Sequence, residues 1–354
     1  MTPAAPAERK GWAPRNLEVG MRAAVAVAVP LFLLFAAGRL DLTAYATFGA
    51  FTALYGRNEP YRVRVRTLTV AAVALLLSIS AGVWLAVLGE PLALLAVALV
   101  VVVGGGTLFV TIFQMVPPQA LFFVFALLVC AAVPTPAADA LPRIGLAAAT
   151  AAFAWALTMS GWVLRRIPGI SRGPLARSGF VTELRRRPGV DIGAVRDPRV
   201  WLTVAQNVVG VLIAGGVALS FGLGHAYWAV VSLVAVIPPA RAAHSISRSV
   251  HRIVGTVVGI AVTALLLVWS PPALVVICVI VVCQFFAEIL VARHYGAALV
   301  FITPLALSVS HLSSPTPLNV LVVDRVLETV LGAGVGIALV LLARVVERRR
   351  GLAA

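Results

Sequence analysis

Residues 225–259 read HAYWAVVSLVAVIPPARAAHSISRSVHRIVGTVVG. An apolar run ends at Pro238-Pro239, a basic stretch carrying Arg241, His244, Arg248, His251 and Arg252 follows, and a second apolar run opens at Ile253. Proline lacks the amide donor that would carry a helix onward, so the pair marks an interruption. The basic spacing of three or four residues sets most of these side chains on one helical face, which must meet water, phosphate or an anion. The pattern is that of a chain crossing a hydrophobic layer and gathering cations at one surface.

Composition agrees. The 354 residues are 61% hydrophobic with a mean hydropathy of +1.03, more apolar surface than a soluble core of that size hides. Apolar runs of about 15 to 22 residues recur from Val19 to Ala343, too many for a signal peptide and a soluble domain. The net charge of +15 invites a nucleic-acid partner, but the charges occupy loops between spans, where the positive-inside rule needs them, so none is expected. Lys10 is the single lysine among 28 basic residues, which excludes a phosphate loop ending in Gly-Lys-Ser/Thr and a Schiff-base lysine. Cys130, Cys278 and Cys283 lie inside apolar runs without paired spacing, and no histidine joins Cys, Asp or Glu in a metal-binding pattern. No catalytic residue, metal or cofactor is expected, and the chain does not read as an enzyme.

The runs predict an all-α polytopic membrane protein of about twelve hydrophobic segments, arranged as two parallel six-segment repeats. The parts are a cytoplasmic tail (1–18), a first transmembrane repeat (19–164), a basic linker (165–201), a second repeat (202–345) and a C-terminal tail (346–354). The segments Arg57–Arg66, Arg165–Arg199 and Arg241–Arg252 fall on one side together with both termini, the cytoplasmic side of the plasma membrane. The linker reads as a solvated, lipid-touching loop. Landmarks repeat in order: Tyr45 with Trp228, Arg62 and Arg66 with Arg248 and Arg252, Thr135-Pro136 with Thr316-Pro317, and Arg143 with Arg325.

Thr43–Tyr55 and Tyr227–Pro239 are short for a bilayer crossing, and paired short segments point to a transporter's central site. The alternative is that each helix continues through its basic extension, its arginines reaching to the surface. Pathway candidates are Arg62, Arg66, Tyr227, Trp228, Arg241, Arg248 and Arg252, whose arginines either bind phospholipid head groups or draw an anionic substrate to an inner mouth. Ionisable groups within spans signal a partner or polar pathway. Glu288, Asp324 and Glu328 are candidates for proton coupling, with Arg325 placed to pair with Glu328 at i and i+3.

The run Tyr227-Trp228-Ala, then Pro238, the spaced arginines and Arg252-Ile-Val-Gly255-Thr256-Val-Val-Gly259 resembles the signature of the fusaric acid resistance family, which includes aromatic acid exporters. Arg325, Thr329 and Gly332 repeat the Arg-x-x-x-Thr-x-x-Gly spacing. This spacing lines Thr256 with Gly259, and Thr329 with Gly332, along one helical stripe where small residues admit a close neighbour. The resemblance implies proton-coupled export of small aromatic carboxylic acids. A passive organic-anion channel and a non-transporting scaffold for envelope assembly remain alternatives. The expected partners are the lipid bilayer and a small organic anion, with a homo-oligomer as an open option.

Overall fold

The computed structural model describes residues 14–164, 186–239, 247–313 and 318–349. Among them are twelve α-helices and no strand: α1 (Pro14–Ala36), α2 (Thr43–Ala50), α3 (Tyr61–Val87), α4 (Leu92–Ile112), α5 (Leu121–Ala132), α6 (Ala137–Leu164), α7 (Pro198–Ser220), α8 (Tyr227–Val236), α9 (Ser247–Leu267), α10 (Ala273–Leu290), α11 (Tyr295–Ser313) and α12 (Leu318–Arg349). Nine are long and apolar enough to cross a membrane, all but α2, α5 and α8. Leu33, Leu77, Leu92 and Leu265 stand exposed on the outer surface, an arrangement that suits hydrocarbon rather than water. The chain is a multi-pass membrane protein.

Several helices begin earlier than hydropathy alone suggests. α3 starts at Tyr61, ahead of the arginines that precede its apolar run, α7 starts at Pro198 rather than at residue 202, and α9 starts at Ser247 rather than Ile253. Arginine is a good helix former, so hydropathy marks where hydrocarbon begins, not where the helix does. At Pro198 the start is sharp. Asp197 accepts a hydrogen bond from the Arg199 amide at 2.9 Å, and proline occupies the first turn, where its missing donor costs nothing.

The short segments are short in fact. α8 ends at Val236, Ile237 turns extended, and the proline pair follows; ten residues give about 15 Å of helix against a hydrocarbon core of about 30 Å. The helix does not continue into its basic extension, since Arg248 and Arg252 belong to the start of α9. α2 adds one 3-10 turn, Phe51–Leu54, before the chain leaves at Tyr55. α5 is short as well, with only twelve residues. Residues 43–50 of α2 and 228–236 of α8 are all buried, and a helix apolar on every side belongs in the interior. Non-helical backbone at membrane depth is tolerated when protein surrounds it.

Within residues 14–164, α3 packs on α5 and α6, and α2 on α6; within residues 198–349, α9 packs on α11 and α12, and α8 on α12. Other contacts cross between the two parts: α1 lies on α10, α4 on α7, α5 on α8 and α2 on α11. Glycine allows the closest approaches. A Cβ at Gly49 would run into the Ala147 carbonyl of α6, and one at Gly332 into the Ala229 carbonyl of α8.

The linker is anchored as well as exposed. Residues 165–185, 1–13 and 350–354 lie outside the described residues, residues 14–18 and 346–349 continue α1 and α12, and 186–196 keep an exposed side while hydrogen bonds tie them to the helices. Glu59 is fully buried and needs a cation. Arg186 supplies it, and its guanidinium also donates to the Gln114 carbonyl. Thr67 donates to Glu59 at 2.6 Å, Arg66 to the Pro188 carbonyl at 3.0 Å, and the Asp191 amide to the Ile112 carbonyl at 2.8 Å.

Candidate functional site

A cavity of about 270 Å³ opens where the two parts meet on the arginine-bearing side. Its charged lining is Arg57, Arg248, Arg252 and Glu288, set among the rings of Phe51, Phe122, Phe125 and Tyr295. The arginines reach it because α8 stops short. Arg248 Nε donates to the Ala235 carbonyl at 2.7 Å, satisfying an acceptor that the end of α8 leaves orphaned. Its guanidinium stacks 4.1 Å from the Tyr295 ring centre. Arg252, 2% exposed, spans the gap between helices, donating to Ser232 Oγ at 3.4 Å and Tyr295 Oη at 3.5 Å. Arg57 donates to the backbone carbonyl of Glu288 at 3.1 Å.

Three guanidinium groups against one carboxylate give the cavity a positive excess inside low-dielectric walls, which concentrates anions. The rings supply flat apolar surface beside it. Such a space suits a small molecule that is anionic at one end and apolar at the other.

At the other end of α8, roughly 10 Å along its axis, lies a buried polar cluster. His225 Nδ1 pairs with Asp324 at 2.8 Å, and the His225 amide donates to Glu328 Oε1 at 3.2 Å. Arg325 does not pair with Glu328; its guanidinium lies 3.7 Å from the Trp228 ring centre. Trp228 in turn packs against Phe125, with ring centres 4.9 Å apart and the planes tilted by 53°. Among the described residues, Arg325 Nε and Nη1 and Glu328 Oε2 have no hydrogen-bond partner. The landmark equivalents Arg143 and Tyr45 repeat the stack at 5.3 Å, but there Nη1 donates to Tyr45 Oη, Thr135 Oγ1 and the Pro134 carbonyl.

The expected site residues therefore divide. Arg248, Arg252 and Glu288 meet in the cavity. Trp228 stands behind its wall, and Asp324 and Glu328 join the cluster beyond. Tyr227 lines a different, largely apolar cavity of about 440 Å³ with Glu90 at its rim. Arg62 and Arg66 are exposed at the start of α3 and do not line the arginine-bearing cavity. Arg241 lies outside the described residues. Thr256 and Thr329 are buried; a Cβ at Gly259 would approach Thr303 of α11 to 2.7 Å, and Gly332 faces α8. Arg57, Phe122, Phe125 and Tyr295 were not singled out by sequence, since each is ordinary until distant segments converge. Among the described residues no group of three His, Cys, Asp or Glu side chains is placed to hold a metal.

Residues 207–339 are matched by the family model described as fusaric acid resistance protein-like. An uncharacterized membrane protein, YvaC, of Bacillus subtilis (strain 168) is 30% identical over 93 residues, 26% of this chain and 15% of that protein's length. No solved structure matches the chain. The matched family segment contains α8 to α11, most of α12, and with them Arg248, Arg252, Glu288 and the Arg325 cluster.

Proposed function

With residues 207–339 fusaric acid resistance protein-like, we propose that the protein is a plasma-membrane transporter that exports small aromatic carboxylates, coupled to protons. The observation that carries the reading is the convergence of Arg57, Arg248 and Arg252 with Phe51, Phe122 and Phe125 around one cavity. A carboxylate meets the guanidinium groups, where charge-assisted hydrogen bonds are strongest, and the ring meets the phenylalanines. Glu288 on the cavity wall, with Asp324 and Glu328 in the deeper cluster, carries the protons.

Two parallel six-helix repeats with cytoplasmic termini fit this role. The packing is consistent with them, because adding six to each helix number converts α3 on α5, α2 on α6 and α3 on α6 into α9 on α11, α8 on α12 and α9 on α12. The crossing contacts interconvert likewise, α1 on α10 with α7 on α4 and α5 on α8 with α11 on α2. A carrier is favoured over an open channel by the Phe125–Trp228 contact behind the cavity.

The test is uptake of labelled benzoate by proteoliposomes with and without an imposed pH gradient. Gradient-driven, saturable flux that falls about tenfold or more in Arg248→Gln/Arg252→Gln supports the reading. Flux in the double variant equal to the unaltered protein, or no flux of any aromatic or aliphatic carboxylate, overturns it. Loss of gradient dependence in Glu288→Gln or Glu328→Gln identifies the proton carrier.

A further inference from the structure

Beyond the cavity itself, and resting on the anion-transport reading, we infer that Arg325 is a second, occluded anion-binding station. It is reached from the cavity when the Phe125–Trp228 contact parts.

Arg325 is 1% exposed, yet two of its nitrogens have no hydrogen-bond partner among the described residues. A guanidinium withdrawn from water and left unpaired is costly, so a buried arginine ordinarily carries a full set of acceptors. The same position in the first half shows what a satisfied arginine looks like there. Arg143 Nη1 makes three hydrogen bonds, Nη2 lies 3.7 Å from Asp139, and Nε alone is unpartnered. The corresponding Nη1 of Arg325 has no partner among the described residues. The ring beneath it holds the guanidinium plane but offers no acceptor, leaving the outward nitrogens available to a carboxylate.

Placement makes the unpartnered nitrogens useful. Phe125 lines the cavity wall and at the same time packs against Trp228. Ala306 likewise lines the cavity and packs in the small buried cluster around Trp228. From the cavity, an anion leaving Arg252 therefore meets one aromatic layer and then Arg325. The charged groups around this station are Arg252 of α9, Asp324 and Glu328 of α12, and His225 at the entry to α8, with the Tyr227 and Tyr295 hydroxyls nearby. Asp324 is held by His225, and one oxygen of Glu328 by the His225 amide. The remaining Glu328 oxygen has no partner, and whenever Glu328 is ionised it opposes a long stay by a second carboxylate. A waypoint needs that balance, attractive enough to enter and weak enough to leave.

Equilibrium binding of labelled benzoate to purified protein, beside benzoate flux in proteoliposomes, separates the two stations. Arg325→Gln is expected to keep cavity binding within about twofold and to lose flux by about tenfold or more. Phe125→Ala is expected to raise flux and weaken its saturation, because the aromatic layer is thinned. If Arg325→Gln is poorly folded, Arg325→Lys replaces it and is expected to show reduced flux with binding kept, since lysine retains charge without the planar fork. Wild-type flux in Arg325→Gln or Arg325→Lys, or unchanged flux in Phe125→Ala, overturns the station while leaving the cavity reading intact. Absence of benzoate binding by the unaltered protein removes the cavity reading and the station together.

Discussion

The Arg325 guanidinium stacks 3.7 Å from the centre of the Trp228 ring, both side chains buried between α8 and α12. A cation held on an aromatic face away from water is worth about 2 kcal/mol. Trp228→Phe keeps a ring in place and is expected to lower stability by about 1 to 2 kcal/mol, whereas Trp228→Ala also opens a hole and is expected to cost about 3 to 5 kcal/mol. Thermal unfolding of the detergent-solubilised protein measures both, and equal midpoints for the two variants would remove the stacking contribution.

The Tyr45–Arg143 pair supplies the matching test in the first half. Tyr45→Phe deletes the acceptor at 2.9 Å and keeps the ring, so it is expected to cost about 1 to 2 kcal/mol. A double-mutant cycle with Arg143→Gln is expected to show a coupling of about 1 kcal/mol or more. Strict additivity of the two changes would mean that the hydrogen bond contributes nothing.

Gly332 and Gly334 form a built-in comparison on α12. A Cβ at Gly332 meets the Ala229 carbonyl, while one at Gly334 meets nothing within 4 Å. Gly332→Ala is expected to destabilise by about 1 to 3 kcal/mol. Gly334→Ala is expected to be neutral or to stabilise by about 0.5 to 1 kcal/mol through helix propensity. Yield of monodisperse protein and its unfolding midpoint check the contrast, which fails if the two variants behave alike.

Glu59 pins the described end of the linker through Arg186. Glu59→Gln removes the charge that holds it, so trypsin is expected to cut after Arg186 about tenfold faster, as a locally opened segment allows. Peptide mapping by mass spectrometry reads the rate at that bond, the next one, Arg187–Pro188, being resistant to trypsin. An unchanged rate would show that the remaining contacts, such as Arg66 to Pro188, suffice.

The all-helical, multi-span architecture was legible because hydropathy reports directly on the solvent each helix faces. The stop of α8 was legible too, since Pro238-Pro239 denies the helix its donors. The brevity of α5 was not. Leu121–Ala132 is as apolar as the true spans, and only packing against α3, α4 and α8 reveals that it is enclosed. Likewise Asp324, Arg325 and Glu328 announced a charged patch, but local spacing suggested an intrahelical pair. The structure instead uses partners from elsewhere: His225 for the carboxylates and Trp228 for the arginine. The cavity was half visible. Arg248, Arg252 and Glu288 stood out as charges in greasy surroundings, whereas Phe51, Phe122 and Phe125 gain meaning only from convergence of segments far apart in the chain.

The seating of α1 on α10, and of α4 on α7, bears on how the molecule is made. α1 leaves the ribosome long before α10, yet has its principal docking surface on it, so an early folding intermediate must shelter in lipid or beside an insertion factor. Neither half closes its own perimeter. Two separately expressed fragments, cut within the linker, should therefore find each other in the bilayer, while either alone is left for quality control to degrade.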